Sequence, residues 1–126
     1  MSDQTPDDVL IEDHGTYIEA QFLGQFLLKR FVEQIAVAAK ACREHKRSLL
    51  LIDATQILGQ PSTFDRYEFA TKAASLAHGL KVAAYARSYQ LDKLEVMVSR
   101  NRGLQVEEFS DREKALAWLV GAEEQR

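Results

Sequence analysis

The chain is short of the residues and patterns that mark several protein classes. Cys42 is its one cysteine in 126 residues, so no intramolecular disulfide can form and a reducing, cytoplasmic setting is expected. No apolar run approaches the ~18 residues of a membrane span, so an integral membrane protein is not expected. The opening "MSDQTPDDVL" is acidic where a signal peptide is basic and then apolar. Lysine and arginine number 16 against 19 aspartates and glutamates, for a formal charge of -3 and a pI near 5.6. Without a basic excess there is little to draw a nucleic-acid backbone or an anionic bilayer. The G-x-x-x-x-G-K-[ST] spacing is absent, so Gly59-Gln60-Pro61 is no phosphate cradle and nucleotide hydrolysis is not expected. Linkers, repeats and low-complexity tracts are missing too.

What is present suits one globular domain. Hydrophobic residues make up 46% and charged residues 28%, well away from the composition of disorder. Residues 1–8 read as a flexible lead, 9–121 as the domain and 122–126 as a flexible tail.

Along the chain the hydrophobic period alternates between that of strands and that of helices. "VLIED" reads as a strand, His14-Gly15 as a tight turn, and "TYIEAQFLG" as a second strand with Ile18, Ala20 and Phe22 on one face and a wet face opposite. Leu27, Phe31, Ile35, Ala38 and Cys42 recur every three or four residues, which predicts a helix running to about Lys46. "SLLLIDA" is apolar without alternation, as in a strand covered on both faces. Ser62, followed three residues on by Asp65, opens a second helix with Phe64, Tyr67, Ala70, Ala74 and Ala77 turned inward and Gly79 ending it. "LKVAAYARS" is a further buried strand. A helix from about Leu91 to Arg102, the strand "LQVEEF" and a helix opened by the capping box Ser110 to Glu113 complete the chain. The fold class is α/β, a mixed, mostly parallel five-stranded sheet with four helices in the order β-β-α-β-α-β-α-β-α.

Several residues invite a chemical role beside a purely structural one. Asp53 ends an apolar strand and needs donors, from backbone N–H groups or from Arg66. Ser62 and Thr63 stand where a helix start favours a phosphate, although an ordinary N-cap explains them as well. Cys42 and His45 lie one turn apart, but two ligands do not close a metal site, and packing suits Cys42 better. No metal or cofactor is expected. Arg87, Lys93, Arg100 and Arg102 read as a solvated face or as a seat for an acidic partner. Trp118 is expected to anchor the last helix in the core. No Ser-His-Asp or Cys-His order is apparent, and a hydrolytic enzyme stays open only because such triads are not local in sequence.

The hairpin with "YIEAQFLG", the strand "LLLIDA", Arg66 early in the second helix, "KVAAYA" and the ending "NRGLQVEEFSDREKALAWL" together resemble the SpoIIAA-like family of STAS and SEC14-type domains, over Val9 to Leu119. Bacterial anti-sigma-factor antagonists of the STAS group carry a phosphorylatable Ser or Thr after an Asp-bearing strand. The matching positions are Asp53 with Thr55, or with Ser62 and Thr63. The usual Asp-Ser-Ser-Gly type of sequence is replaced by the longer "TQILGQPSTFD", interrupted by Pro61, so the switch does not transfer directly. The SEC14 side implies an apolar or lipid ligand, lined by Phe64, Tyr67, Phe69, Leu91, Leu94 and Met97 between the second and third helices. The expected function is therefore a non-enzymatic regulatory or protein-interaction domain, binding a protein partner through Asp53 to Arg66. The alternative is an apolar small-molecule or lipid binder. Homodimer formation through an edge strand is a further option that no residue specifically favours.

Overall fold

Alternation in the first strands builds a hairpin. β1 (Val9–Asp13) and β2 (Ile18–Gln25) pair antiparallel, from Val9 opposite Phe22 to Asp13 opposite Ile18. Asp13 accepts the Gly15 N–H at 2.9 Å across the turn. β3 (Leu49–Leu58), β4 (Lys81–Tyr85) and β5 (Gln105–Phe109) follow, each parallel to its predecessor, so the strand order in the sheet is the order in the chain. α1 (Leu28–Glu44), α2 (Thr63–Leu76), α3 (Leu94–Asn101) and α4 (Arg112–Gly121) alternate with them as expected. This computed structural model describes residues 9–59, 61–87 and 94–121, with side chains from Met97 onward in the last segment. The proposed lead and tail, Leu91 and Lys93 lie outside the described residues.

The two faces of the sheet are covered unequally. Ile18, Ala20, Phe22, Leu50, Ile52, Val82 and Val106 face Phe31, Ile35 and Ala38 of α1 and Ala73 and Ala74 of α2. On the other face Leu51, Ala83 and Tyr85 meet Ala115 and Leu119 of α4, with Trp118 packed beside Phe109 as the anchor expected of it. Full burial of a Leu or Ile contributes about 2 kcal/mol, and Leu50, Leu51 and Ile52, buried in succession, make β3 the centre of both layers.

Element ends depart from the sequence reading in instructive ways. α1 stops at Glu44, because Lys46 takes a left-handed φ of 59° and the Arg47 N–H returns to the Cys42 carbonyl at 2.8 Å. β3 continues past Ala54 to Leu58, although Thr55 and Gln56 break its apolar run. A bulge absorbs them: Gln21 pairs with Asp53 and Leu23 with Gln56, so β3 spends one residue more than β2. Ser62 caps α2 as expected, its Oγ accepting the Asp65 N–H at 3.0 Å. The inward stripe of α2, however, is Ala70, Ala73 and Ala74, with Ala77 following. Phe64, about a third of a turn away from it, is 68% exposed, and Tyr67 is 43% exposed.

The cap of α4 also moves by one residue. Asp111 Oδ1, not Ser110, accepts the N–H of Lys114 at 2.8 Å. Asp111→Ala should therefore cost about 1 kcal/mol in urea denaturation, and Ser110→Ala only a few tenths. The reverse order would restore the capping box beginning at Ser110.

Candidate functional site

α2 is held by its neighbours rather than by the sheet. Among the described residues no Cα of α2 comes within 8 Å of a Cα in any strand, although α1, α3 and α4 all approach that closely. Its inward side chains are alanines, which reach little way across the gap. A cavity of about 220 Å³ lies beneath it, opposite Phe22, Ile52 and Val82 of the sheet. Protein interiors hold few voids larger than a water molecule. Left empty, one of this volume would cost about 5 kcal/mol at the usual rate per Å³, comparable to the lower end of a domain's net stability.

Four phenylalanines form one wall. Phe26 and Phe31 have ring centroids 4.8 Å apart, Phe22 and Phe31 stand edge to face at 5.7 Å, and Phe69 of α2 meets both Phe26 and Phe31 at 6.2 and 6.4 Å. The lining residues that keep some exposure, among them Ala54, Ile57, Pro61, Arg66 and Glu108, belong to the late parts of β3 and β5 and to the start of α2. The cavity thus opens at the carboxyl ends of the parallel strands, the usual place for ligands in such sheets. Gly59 stands at this mouth with φ of +93°, and a Cβ there would collide with the side-chain amide of Gln25.

Of the six residues expected to line a ligand site, Phe69 does so. Phe64, Tyr67 and Met97 instead face solvent, Met97 at 57%, while Leu91 and the side chain of Leu94 lie outside the described residues. The space is between α2 and the sheet, not between α2 and α3, because those two helices are drawn together. Buried Ser99 donates to the Ala70 carbonyl at 3.2 Å, and Arg102 reaches the Tyr67 hydroxyl at 3.0 Å. The signal that would have located the cavity is the run of alanines on α2 facing a phenylalanine-rich β2 and α1.

The candidate switch residues fall into two groups. Asp53 is nearly buried and fully engaged: Oδ1 accepts the Thr55 N–H at 2.9 Å and its hydroxyl at 2.6 Å, and Oδ2 accepts Gln21 Nε2 at 3.0 Å. Asp53 and Thr55 therefore shape the β3 bulge, and a phosphate on Thr55 would set a dianion against a carboxylate. Ser62 and Thr63 are exposed at the start of α2, and Arg66 follows one turn later. There the free N–H groups and the helix dipole favour negative charge.

On the opposite face a polar cluster occupies the part of the sheet that α4 leaves open, and the sequence reading had taken that face as simply wet. Arg112, the first residue of α4, donates to both oxygens of Glu19, at 2.7 and 3.0 Å, and to the Tyr17 hydroxyl at 3.2 Å. Tyr85 donates to the same carboxylate at 2.9 Å, and His14, stacked on Tyr17, lies 3.1 Å from it. The Arg112 guanidinium holds the Glu19 carboxyl below the ordinary carboxylate range. Burial, then the Glu19 carboxylate, pushes the Tyr85 phenol well up, so it remains a neutral donor. Glu19 keeps only 13% of its side chain exposed, a burial that depends on an arginine 93 residues away.

The remaining candidates have structural partners. Cys42 is buried against the Leu49 carbonyl, and burial pushes its thiol up to about 11. His45 turns instead to Asp13 at 3.3 Å, so the two share no site. Arg100 binds the Val106 carbonyl and Glu107 along β5, and Arg87 reaches the Ile57 carbonyl.

No protein-family model and no curated protein matches the chain. Solved structures do. An anti-sigma factor antagonist from Mycobacterium paratuberculosis matches 91% of this chain and 97% of its own, with a TM-score of 0.59 at 15% identity. An uncharacterized protein from the DUF3478 family with a SpoIIAA-like fold, from Shewanella loihica PV-4, matches over 89% and 92%, with a TM-score of 0.49 at 19% identity. At these identities the likeness concerns architecture, and the SpoIIAA-like architecture expected from the sequence is the one present.

Because Glu19 ionises below its ordinary value of 4.5 when folded, its pairing stabilises the fold above that pH and is lost as the pH falls through the lower folded value. Glu19→Gln should cost about 2 kcal/mol at pH 7, a fall in Tm of roughly 6 to 10 °C. The gap to the parent protein should close as thermal melts are taken below pH 4.5, and a constant gap would remove the ion pair as its cause.

Proposed function

We propose that the chain is a non-enzymatic regulatory module of STAS type, acting in the bacterial cytoplasm by binding another protein. The contact surface we assign to it is the segment from Asp53 to Arg66 with the first turns of α2. The observation that carries this reading is the exposure of Phe64 and Tyr67 directly after a serine-capped helix start. Large apolar side chains exposed beside polar ones mark contact surfaces more often than they mark folding needs. Leu58, at the end of β3, adds to the same end of the sheet. The architecture shared with a protein described as an anti-sigma factor antagonist supports a protein partner. Within this surface Ser62 and Thr63, rather than Thr55, are the hydroxyls placed to carry a phosphate, with Arg66 one turn on.

A second reading is favoured by one observation, the cavity under α2. On it, the domain holds an apolar small molecule.

Phe64→Asp with Tyr67→Asp tests the contact surface. Both positions are exposed, so the double variant should melt within a few degrees of the parent. In affinity capture with cross-linking from the native host it should lose the partners that the parent retains. Equal recovery of the same partners by both would place the contact elsewhere.

A further inference from the structure

The cavity beneath α2 has a size, a wall and a mouth from which the class of its occupant can be argued. An apolar cavity of roughly 150 Å³ holds benzene, and this one, at about 220 Å³, has room for one further fused ring. It is smaller than the ~300 Å³ at which sites for drug-sized ligands begin, so the long acyl chain of a membrane lipid does not fit.

The wall favours a flat occupant. Phe22, Phe31 and Phe69 stand at steep angles to one another, Phe22 to Phe31 at 70° and Phe31 to Phe69 at 68°. Rings so disposed present both faces and edges, the arrangement in which a further aromatic ring is best received. At the deep end Ile35 and Val82 are buried and offer no polar group. The hydroxyl of Ser99 already donates to the Ala70 carbonyl. Arg66 and Glu108 contribute polar atoms at the open end, where the lining is partly exposed.

We infer that the cavity binds a compact aromatic molecule of one or two rings, about the size of indole or naphthol, with a single polar group turned toward Arg66 and Glu108. This rests on the second reading above, that the cavity is a ligand site, and supplies the chemical class of the ligand.

Titration of the full ¹⁵N-labelled chain with indole, with 1-naphthol and, separately, with decanoate tests it. The expected result is saturable shifts of the Ala73 and Ala84 amides with the aromatic probes and none with decanoate. Ala73→Leu, which fills the space from the helix side, should weaken the aromatic probes at least tenfold while the chain stays folded. Ala84→Leu does the same from the sheet side should the first variant fail to fold. Decanoate binding without the aromatics would overturn the ligand class and leave the ligand site standing. Binding undiminished in both filled variants would place the probes elsewhere and overturn the proposal. No binding by any probe, with a filled variant more stable than the parent, would make the cavity a packing void and remove both.

Discussion

Four parallel strands laid side by side in chain order leave the helices between them no choice of side. A strand-helix-strand crossover is almost always right-handed, and with β2, β3, β4 and β5 advancing in one direction, α1, α2 and α3 all fall on the same face. α4 crosses to no further strand of the sheet and is free to cover the other. Both faces of the central strands are apolar and need cover, so three helices serve one side and one serves the other. The two unusual features of the molecule, a void on one face and a buried ion pair on the other, are the local solutions to that imbalance.

On the three-helix face the middle helix is the weak link. α1 brings Phe31 and Ile35 down onto β2 and β3, and α3 leads into the edge strand through Leu104. α2 brings alanines, which let it lie close to both neighbouring helices but give it nothing to reach the sheet with. On the one-helix face, α4 covers β3, β4 and β5 and stops short of the hairpin. Its first residue, Arg112, extends cover by reaching back to Glu19 on β2. A charged pair so placed is less a source of net stability than a penalty if broken, because either partner alone would be left desolvated.

Architecture was legible in the sequence because it depends on local period. The apolar run of β3, the three-and-four spacing of α1 and the capping serine of α2 each act within a few residues, and all are present as read. What could not be read depends on distance. The extension of β3 to Leu58 needs the matching stretch of β2 and a bulge stabilised by Asp53. The polar face of β2 looked wet because its cover, Arg112, is remote in the chain. Phe64 and Tyr67 were assigned inward because aromatics usually are, yet four alanines claim the inner stripe of the same helix. The cavity was expected from aromatic bulk on α2 and instead arises from its lack of bulk.

The same helix therefore separates two environments. Its outer side carries exposed Phe64 and Tyr67, while its inner side, through Phe69 and the alanines, roofs the cavity. Since α2 is anchored mainly by α1 and α3, its position over the sheet is set by modest packing forces that a molecule on either side can add to. An occupant that fits the cavity only when α2 holds one position favours that position, and so does a partner that grips the outer aromatics in it. Linkage then makes the influence mutual: whatever factor the occupant contributes to the affinity of the partner, the partner returns to the occupant. A ligand indifferent to the placement of α2 would transmit nothing, however tightly it bound. The gap beneath α2 is thus where the packing of this fold and its regulation meet.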